Sequence, residues 1–321
     1  MTPTIPDEDH YWRVASRVLD GYVIPFLGAG ANLAERPPNT AWERGKYLPS
    51  GAELAELLAR RSRYPETPDD LLRVSQYVDA MFGEGVLYQY LHQTFNEDYP
   101  SNHLHRLLAQ LSGTLRDRGT RCQVIMTTNY DDALERAFRD AGEEYDLVWY
   151  EAKRGERCGK FIHRRPGEVP VAIDVPNEYD GFDLSKRTVI LKLHGAVDRD
   201  DPHGDSYVIT EDDYIKYLTQ GDFSGQIPIT LREAMTECHF LFLGYSMRDW
   251  NLRVILNRIW GQSQLPVKSW AVQIPHPQPK QNEIERKLWA DRGDVELLQL
   301  ALKEYVTSLS DELEELSEVP V

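Results

Sequence analysis

The sequence predicts an α/β fold: a parallel sheet with helices on both faces and a helical insert. Three observations predict it. Short apolar runs recur along the chain at the length of buried strands. Segments with leucines at helical spacing separate them. Several of the runs stop at a glycine or a small polar cluster, where ligands gather at the carboxyl ends of parallel strands.

Taken in order, Asp9–Asp20 reads as a short leading helix, and Tyr22–Leu27 as a buried strand ended by Gly28. Ser50 with Glu53 three residues on is a capping box for a helix beginning near Gly51, with Leu54, Leu57 and Leu58 on one face. Asp69–Phe82, Val86–Phe95 and His103–Leu111 read as further helices. Cys122–Met126 is a second strand, followed by a helix over Asp131–Ala141. Asp146–Tyr150, Val189–Leu193, His239–Leu243 and Ser269–Ile274 complete the strands, with a helix at Trp250–Trp260.

This divides the chain into an N-terminal helix (1–20), a sheet core (21–47 and 119–275), a helical insert (48–118) and a C-terminal helical tail (276–321). Within the core, 151–187 is rich in Gly, Pro and charge and reads as a mobile loop or lid bordering the pocket. The acidic end, 303–321, reads as a frayed helix.

A chain of 321 residues can bury one large core with a satellite. Its 36 basic and 52 acidic residues give a net charge of −16, which argues against general binding of a phosphate backbone. No apolar stretch has the length of a membrane span, and the first twenty residues lack the apolar heart of a secretion signal. Three scattered cysteines, Cys122, Cys158 and Cys238, form no disulfide framework and no zinc spacing with histidine. A cytoplasmic, metal-free protein is expected.

Four polar clusters fall at strand ends: Gly28-Ala-Gly-Ala-Asn32, Thr127-Thr-Asn-Tyr-Asp131, His194-Gly195 and Gly244-Tyr-Ser-Met-Arg-Asp249. Gly28 and Gly30 permit positive φ and close approach of a ligand, and backbone N–H groups there suit a diphosphate. The last glycine of a full dinucleotide fingerprint is absent, and many ordinary turns contain GxG. The Asn129 amide can both donate to and accept from a ribose or a carboxamide. Asn129, Asp131 and Asp132 equally suit a helix N-cap. His194 suits general-base work, and its place beside the other strand ends sets it apart from histidines with a structural role.

The stretches VIPFLGAGAN, VIMTTNYDDALERAF, VILKLHGAVD, YVITEDDY and FLFLGYSMRDWN together resemble the sirtuin-like domain of bacterial anti-phage defence proteins, in that family's order, over residues 22 to about 274. The resemblance implies a Rossmann-like NAD fold with a helical second module. It implies hydrolysis of NAD, as substrate, to ADP-ribose and nicotinamide. Asn129 and His194 would be catalytic. Gly28, Ala29, Gly30 and Asn32 would contact the diphosphate and nearby ribose, with Thr128 beside them. Asp131 would support the nicotinamide side. Gly244 and Ser246 would hold the adenosine half, and Asp249 and Asn251 would shape that loop. The chain lacks the four-cysteine zinc module of protein-deacylating sirtuins, which favours simple hydrolysis, and Asn32 replaces the serine common in the glycine loop. A non-catalytic nucleotide-sensing or scaffold subunit, and an ADP-ribosyl transferase or deacylase, are the alternatives. Such an activity needs a gate, and 275–321 is too short for a sensor domain. Self-assembly into a homo-oligomer, or a partner such as a HerA-type ATPase ring, is expected, with 48–118 and the first twenty residues as contact surface. Direct nucleic-acid or membrane contact is not.

Overall fold

The computed structural model describes residues 5–219, 223–247, 252, 256 and 267–318. Its strands are β1 (Val23–Leu27), β2 (Val124–Thr127), β3 (Tyr145–Tyr150), β4 (Phe161–Arg164), β5 (Val171–Ala172), β6 (Thr188–Lys192), β7 (His239–Leu243), β8 (Ser269–Gln273) and β9 (Val295–Gln299). They form one nine-stranded sheet in the order β5-β4-β3-β6-β2-β1-β7-β8-β9. All pairings are parallel except the edge pairs β3–β4 and β4–β5.

Register levels the strand ends. Leu27 lies opposite both Thr127 and Leu243, and Thr127 lies opposite Lys192. The residues that follow, Gly28, Thr128, Leu193 and Gly244, therefore leave the sheet along one rim. The chain moves from β1 to β2 on one side and returns to β7 on the other, so β1 and β7 flank the topological switch point, where open α/β sheets bind ligands.

The helices described are α1 (His10–Leu19), α2 (Gly51–Ser62), α3 (Leu71–Phe82), α4 (Glu84–Phe95), α5 (His103–Asp117), α6 (Ala133–Asp140), α7 (Glu211–Thr219), α8 (Phe223–Gln226), α9 (Ile229–Glu237), α10 (Pro279–Gly293) and α11 (Leu302–Glu318). Strand periodicity splits the core between the two faces of the sheet. Ile24 and Phe26 pack in one layer with Met235 and Trp289. Val23 and Leu27 pack in the other with Val14, Leu108 and Tyr305. A side chain buried this fully contributes about 1.5–3 kcal/mol by transfer.

Helices α2–α4 build a third core from Leu58, Val78 and Leu91, seated on Ala133, Val197 and Tyr207. Helix α5, in the same helical stretch of sequence, joins the sheet instead: Leu104, Leu108 and Leu111 pack with Ile125 and Leu241. The capping box read at Ser50 and Glu53 is present.

Three segments differ from their sequence reading. Residues 151–187 contain β4 and β5, with Phe161, Ile162 and Ile173 buried. Strands of four and two residues are too short to show periodicity among charged flanks. Beyond residue 275, β9 extends the sheet past β8. Its interleaved Glu296 and Gln299 mask the strand pattern. Helix α11 is not frayed, because its acidic face hides a stripe of Tyr305, Val306, Leu309 and Leu313 buried against the sheet layer. The helix expected at Trp250–Trp260 lies largely outside the described residues. Among the described residues no helix is long and apolar enough to cross a membrane.

Candidate active site

The glycine loop and the β7 loop are packed on each other. Gly28 N–H donates to the Leu243 carbonyl at 3.0 Å, and Gly30 N–H to the Gly244 carbonyl at 2.9 Å. A Cβ on Gly28 would meet the Gly244 oxygen at 2.8 Å and the Tyr245 ring at 2.9 Å, and one on Gly30 would meet the Gly244 oxygen at 2.6 Å. This corrects the expectation for both glycines. Gly28 has φ −102° and Gly30 is not in the left-handed region, so neither is needed for positive φ. Their N–H groups serve the neighbouring loop and are committed before any diphosphate arrives. Positive φ falls instead on Gly195 (91°) and Gly244 (75°). At Gly244 a Cβ would sit 2.0 Å from the Ala31 nitrogen.

The loop after β2 closes from the other side. The Asn129 amide donates to the Gly28 carbonyl at 3.1 Å, and its N–H donates to Thr127 Oγ1 at 3.0 Å. Thr128 Oγ1 and the Tyr245 hydroxyl are 2.6 Å apart. Asp131 does two jobs: Oδ1 accepts from Ala133 N–H at the start of α6, and Oδ2 accepts from Asn32 Nδ2 at 2.7 Å. Asp131 thus makes a local turn contact at the start of α6 with one oxygen and holds Asn32 with the other, while the N-cap itself is Asp132, whose side chain makes no capping hydrogen bond.

His194 leaves β6 on the same rim and is 4% exposed. Its Nδ1 is 3.4 Å from the Tyr214 hydroxyl, and the rings of Tyr214 and Tyr217 meet it edge-on. Burial among these rings pushes its pKa down to about 3, which leaves the imidazole neutral at physiological pH but a weaker base than the ordinary histidine the sequence led one to expect. Nε2 is buried and has no partner among the described residues. The Asn32 Oδ1 acceptor is likewise buried and has no partner among them.

Both orphaned atoms belong to residues lining one cavity. This inner cavity, of about 260 Å³, is walled by Asn32, Thr128, Asn129, Asp131, His194, Tyr214 and Tyr245, and roofed by Ser50, Leu54 and Phe95 of the helical module. An outer cavity of about 590 Å³ is lined by Gly30, Gly244, Ser246 and the stretch 272–277. The two share Ala29, Ser50, Thr128 and Tyr245, which line both. Neither is lined by any residue of 151–187, so that segment does not border them.

Of the residues singled out in the sequence, Ala29, Gly30, Asn32, Thr128, Asn129, Asp131, His194, Gly244 and Ser246 line these cavities, and Gly28 lies directly behind them. Asp249 and Asn251 lie outside the described residues. Sequence reasoning missed Tyr245, Tyr214 and the contribution of Ser50 as a wall. Tyr214 closes the YVITEDDY stretch, and Tyr245 follows the glycine that ends β7, so both stood inside quoted motifs without a role. Among the described residues no group of three His, Cys, Asp or Glu side chains is arranged to hold a metal ion.

Comparison with known proteins adds three findings. The family model for a SIR2-like domain matches residues 123–294. Curated relatives named NAD(+) hydrolase ThsA are similar at modest identity. That of Enterococcus faecium is 29% identical over 192 residues, covering 59% of this chain and 32% of the relative. That of Cytobacillus dafuensis is 26% identical over 234 residues, covering 73% and 37%. The chain thus spans about a third of the length of these relatives. Among solved structures, a SIR2 homolog–NAD complex aligns at a TM-score of 0.45 and 12% identity, over 99% of this chain and 98% of that one.

Proposed function

Since the chain belongs to the SIR2-like domain family, we propose that it hydrolyses NAD at the nicotinamide–ribose bond, releasing nicotinamide and ADP-ribose. The observation that carries the reading is the buried, unpartnered Nε2 of a neutral His194 in the same cavity as Asn129 and Asp131. A buried polar atom without a partner is costly unless a ligand or water completes it. The relatives' name, NAD(+) hydrolase, supports the same reaction.

In this reading the nicotinamide riboside half occupies the inner cavity, with Asp131 toward the carboxamide. The diphosphate crosses from one cavity to the other at Ala29 and Thr128, and the adenosine half lies against Gly244 and Ser246. The C–N bond breaks with its electron pair leaving on nicotinamide, which departs neutral, and C1′ gains oxocarbenium character. Asn129 orients the ribose and the incoming water. His194 takes the proton as the water oxygen bonds to C1′, then returns it to solvent. The aromatic-walled cavity strengthens these oriented dipoles.

We further propose that the reaction serves anti-phage defence inside the cell and is gated by assembly. The gate is another copy of this chain or a partner such as a HerA-type ATPase.

The test is product analysis. Purified chain incubated with NAD should release nicotinamide and ADP-ribose in equal amounts. Asn129→Ala and His194→Ala should each lower turnover on the order of 10²–10⁴-fold. Release of nicotinamide only when an acyl-peptide is added would replace hydrolysis by deacylation. Parental turnover in both folded variants would overturn the residue assignment.

A further inference from the structure

Beneath the cavity lies a charged pair that the proposed chemistry does not use. Lys192 is the last residue of β6 and is 1% exposed; Glu135, on α6, is 3% exposed. Their charged ends are 2.6 Å apart. The Lys192 ammonium also donates to the Asp131 carbonyl, and to the Tyr130 carbonyl at 3.4 Å. An ammonium has three protons, and these three acceptors take them. Burial pushes the Glu135 carboxyl up, and the adjacent ammonium opposes that shift.

We propose that Lys192 and Glu135 are a positioning pair that holds the loop Asn129–Asp131 in its working shape. A buried ion pair is a poor source of net stability, and apolar replacements of similar volume are often neutral or better. Here the pair has a geometric consequence instead. By drawing the Tyr130 and Asp131 carbonyls inward, the ammonium fixes the backbone on which the Asn129 and Asp131 side chains face the cavity. It also ties that loop to the strand that delivers His194, two residues along. The peptide between Tyr130 and Asp131 cannot reorient freely, because Val197 N–H also donates to the Tyr130 carbonyl at 2.9 Å.

The test compares Lys192→Met, Glu135→Gln and the double variant Lys192→Met/Glu135→Leu in the full chain, by thermal melting, amide hydrogen exchange over 127–133 and NAD turnover. Only the turnover arm rests on the NAD-cleavage reading. The single Lys192→Met should melt well below the parent, because it strands a buried carboxylate. The double variant should melt near the parent, yet exchange at Asn129–Asp131 on the order of tenfold faster. Its kcat should fall by about tenfold or more, with KM for NAD changing less. Parental exchange in the folded double variant would overturn the proposal, whatever the turnover. If the double variant does not fold, Glu135→Gln decides: it keeps the side-chain shape, and parental exchange and kcat there would equally overturn it. A parent without NAD turnover would sink the functional reading while leaving the exchange comparison to judge the pair.

Discussion

Asn32 reaches from the glycine loop to Asp131 on the β2 loop, its Nδ2 donating to Oδ2 at 2.7 Å, while its own Oδ1 is left buried without a partner among the described residues. The substitution of asparagine for the serine common at this position thus acquires a role. A serine is a shorter side chain with a single oxygen, whereas the amide can hold Asp131 with one end and present an acceptor with the other. An acceptor oxygen suits a ribose hydroxyl or an amide N–H and repels a diphosphate.

Asn32→Ala should therefore weaken NAD binding by about 1–3 kcal/mol, since it strips Asp131 of a partner and removes the acceptor together. Calorimetry at fixed salt measures it. Unchanged affinity in the folded variant would place Asn32 outside the ligand's reach.

Gly30→Ala tests the packed-loop account against the ligand-approach account. The new Cβ would meet the Gly244 oxygen at 2.6 Å and its Cα at 3.0 Å, both backbone atoms that cannot swing aside. Overpacking of this kind costs about 1–3 kcal/mol. Urea unfolding without ligand should show that loss. A variant of parental stability that has lost only NAD binding would return the glycine to the ligand's service.

Much of this architecture was legible because each strand near the switch point is a clean apolar run. Val23–Leu27, Val124–Thr127, Thr188–Lys192 and His239–Leu243 are buried on both faces, so composition alone marks them. The rim followed from the residues after them. What stayed hidden depends on tertiary partners. β9 and β4 carry polar residues whose burial is decided by neighbours; His163 on β4 is 1% exposed because Tyr179 and Asp146 meet it. The reason for Gly28 and Gly30 could not be read from one loop, since the steric demand comes from Gly244, more than two hundred residues away. Lys192 reads only as part of the Val189–Leu193 strand, and nothing in the sequence shows that Glu135 stands beside it.

Burial sets a pH dependence with a definite sign. His10, His105 and His194 are pushed down, the first two to about 4 and the last to about 3, chiefly by desolvation. The unfolded chain takes up protons on these side chains below about 6.5, and the folded chain does not. Their contribution to stability is therefore complete above about pH 6.5 and is lost as pH falls toward 4. Urea midpoints across that window should drop, and His194→Gln should drop less steeply than the parent. Identical slopes would remove His194 from the account.

Tyr214 offers a finer test of how His194 works. For Nε2 to receive a proton, the imidazole must carry its own proton on Nδ1, and the Tyr214 oxygen, 3.4 Å away, is the acceptor that favours this tautomer. Tyr214 itself lies on α7 with its ring edge-on to the imidazole, so Tyr214→Phe keeps the packing and removes only the oxygen. The hydrogen bond is long, which sets the effect toward the low end of the about 0.5–1.5 kcal/mol that such bonds contribute, or roughly two- to tenfold in rate. On the proposed role of His194 in the chemical step, the loss should fall on kcat and leave KM for NAD nearly unchanged. Nitrogen-15 spectra of the imidazole should show the Nδ1–H form dominant in the parent and diminished in the variant. A parent that carries its proton on Nε2 would mean that His194 faces the cavity as a donor, and the base would have to be sought at Asp131, the one carboxylate among the described residues lining the two cavities.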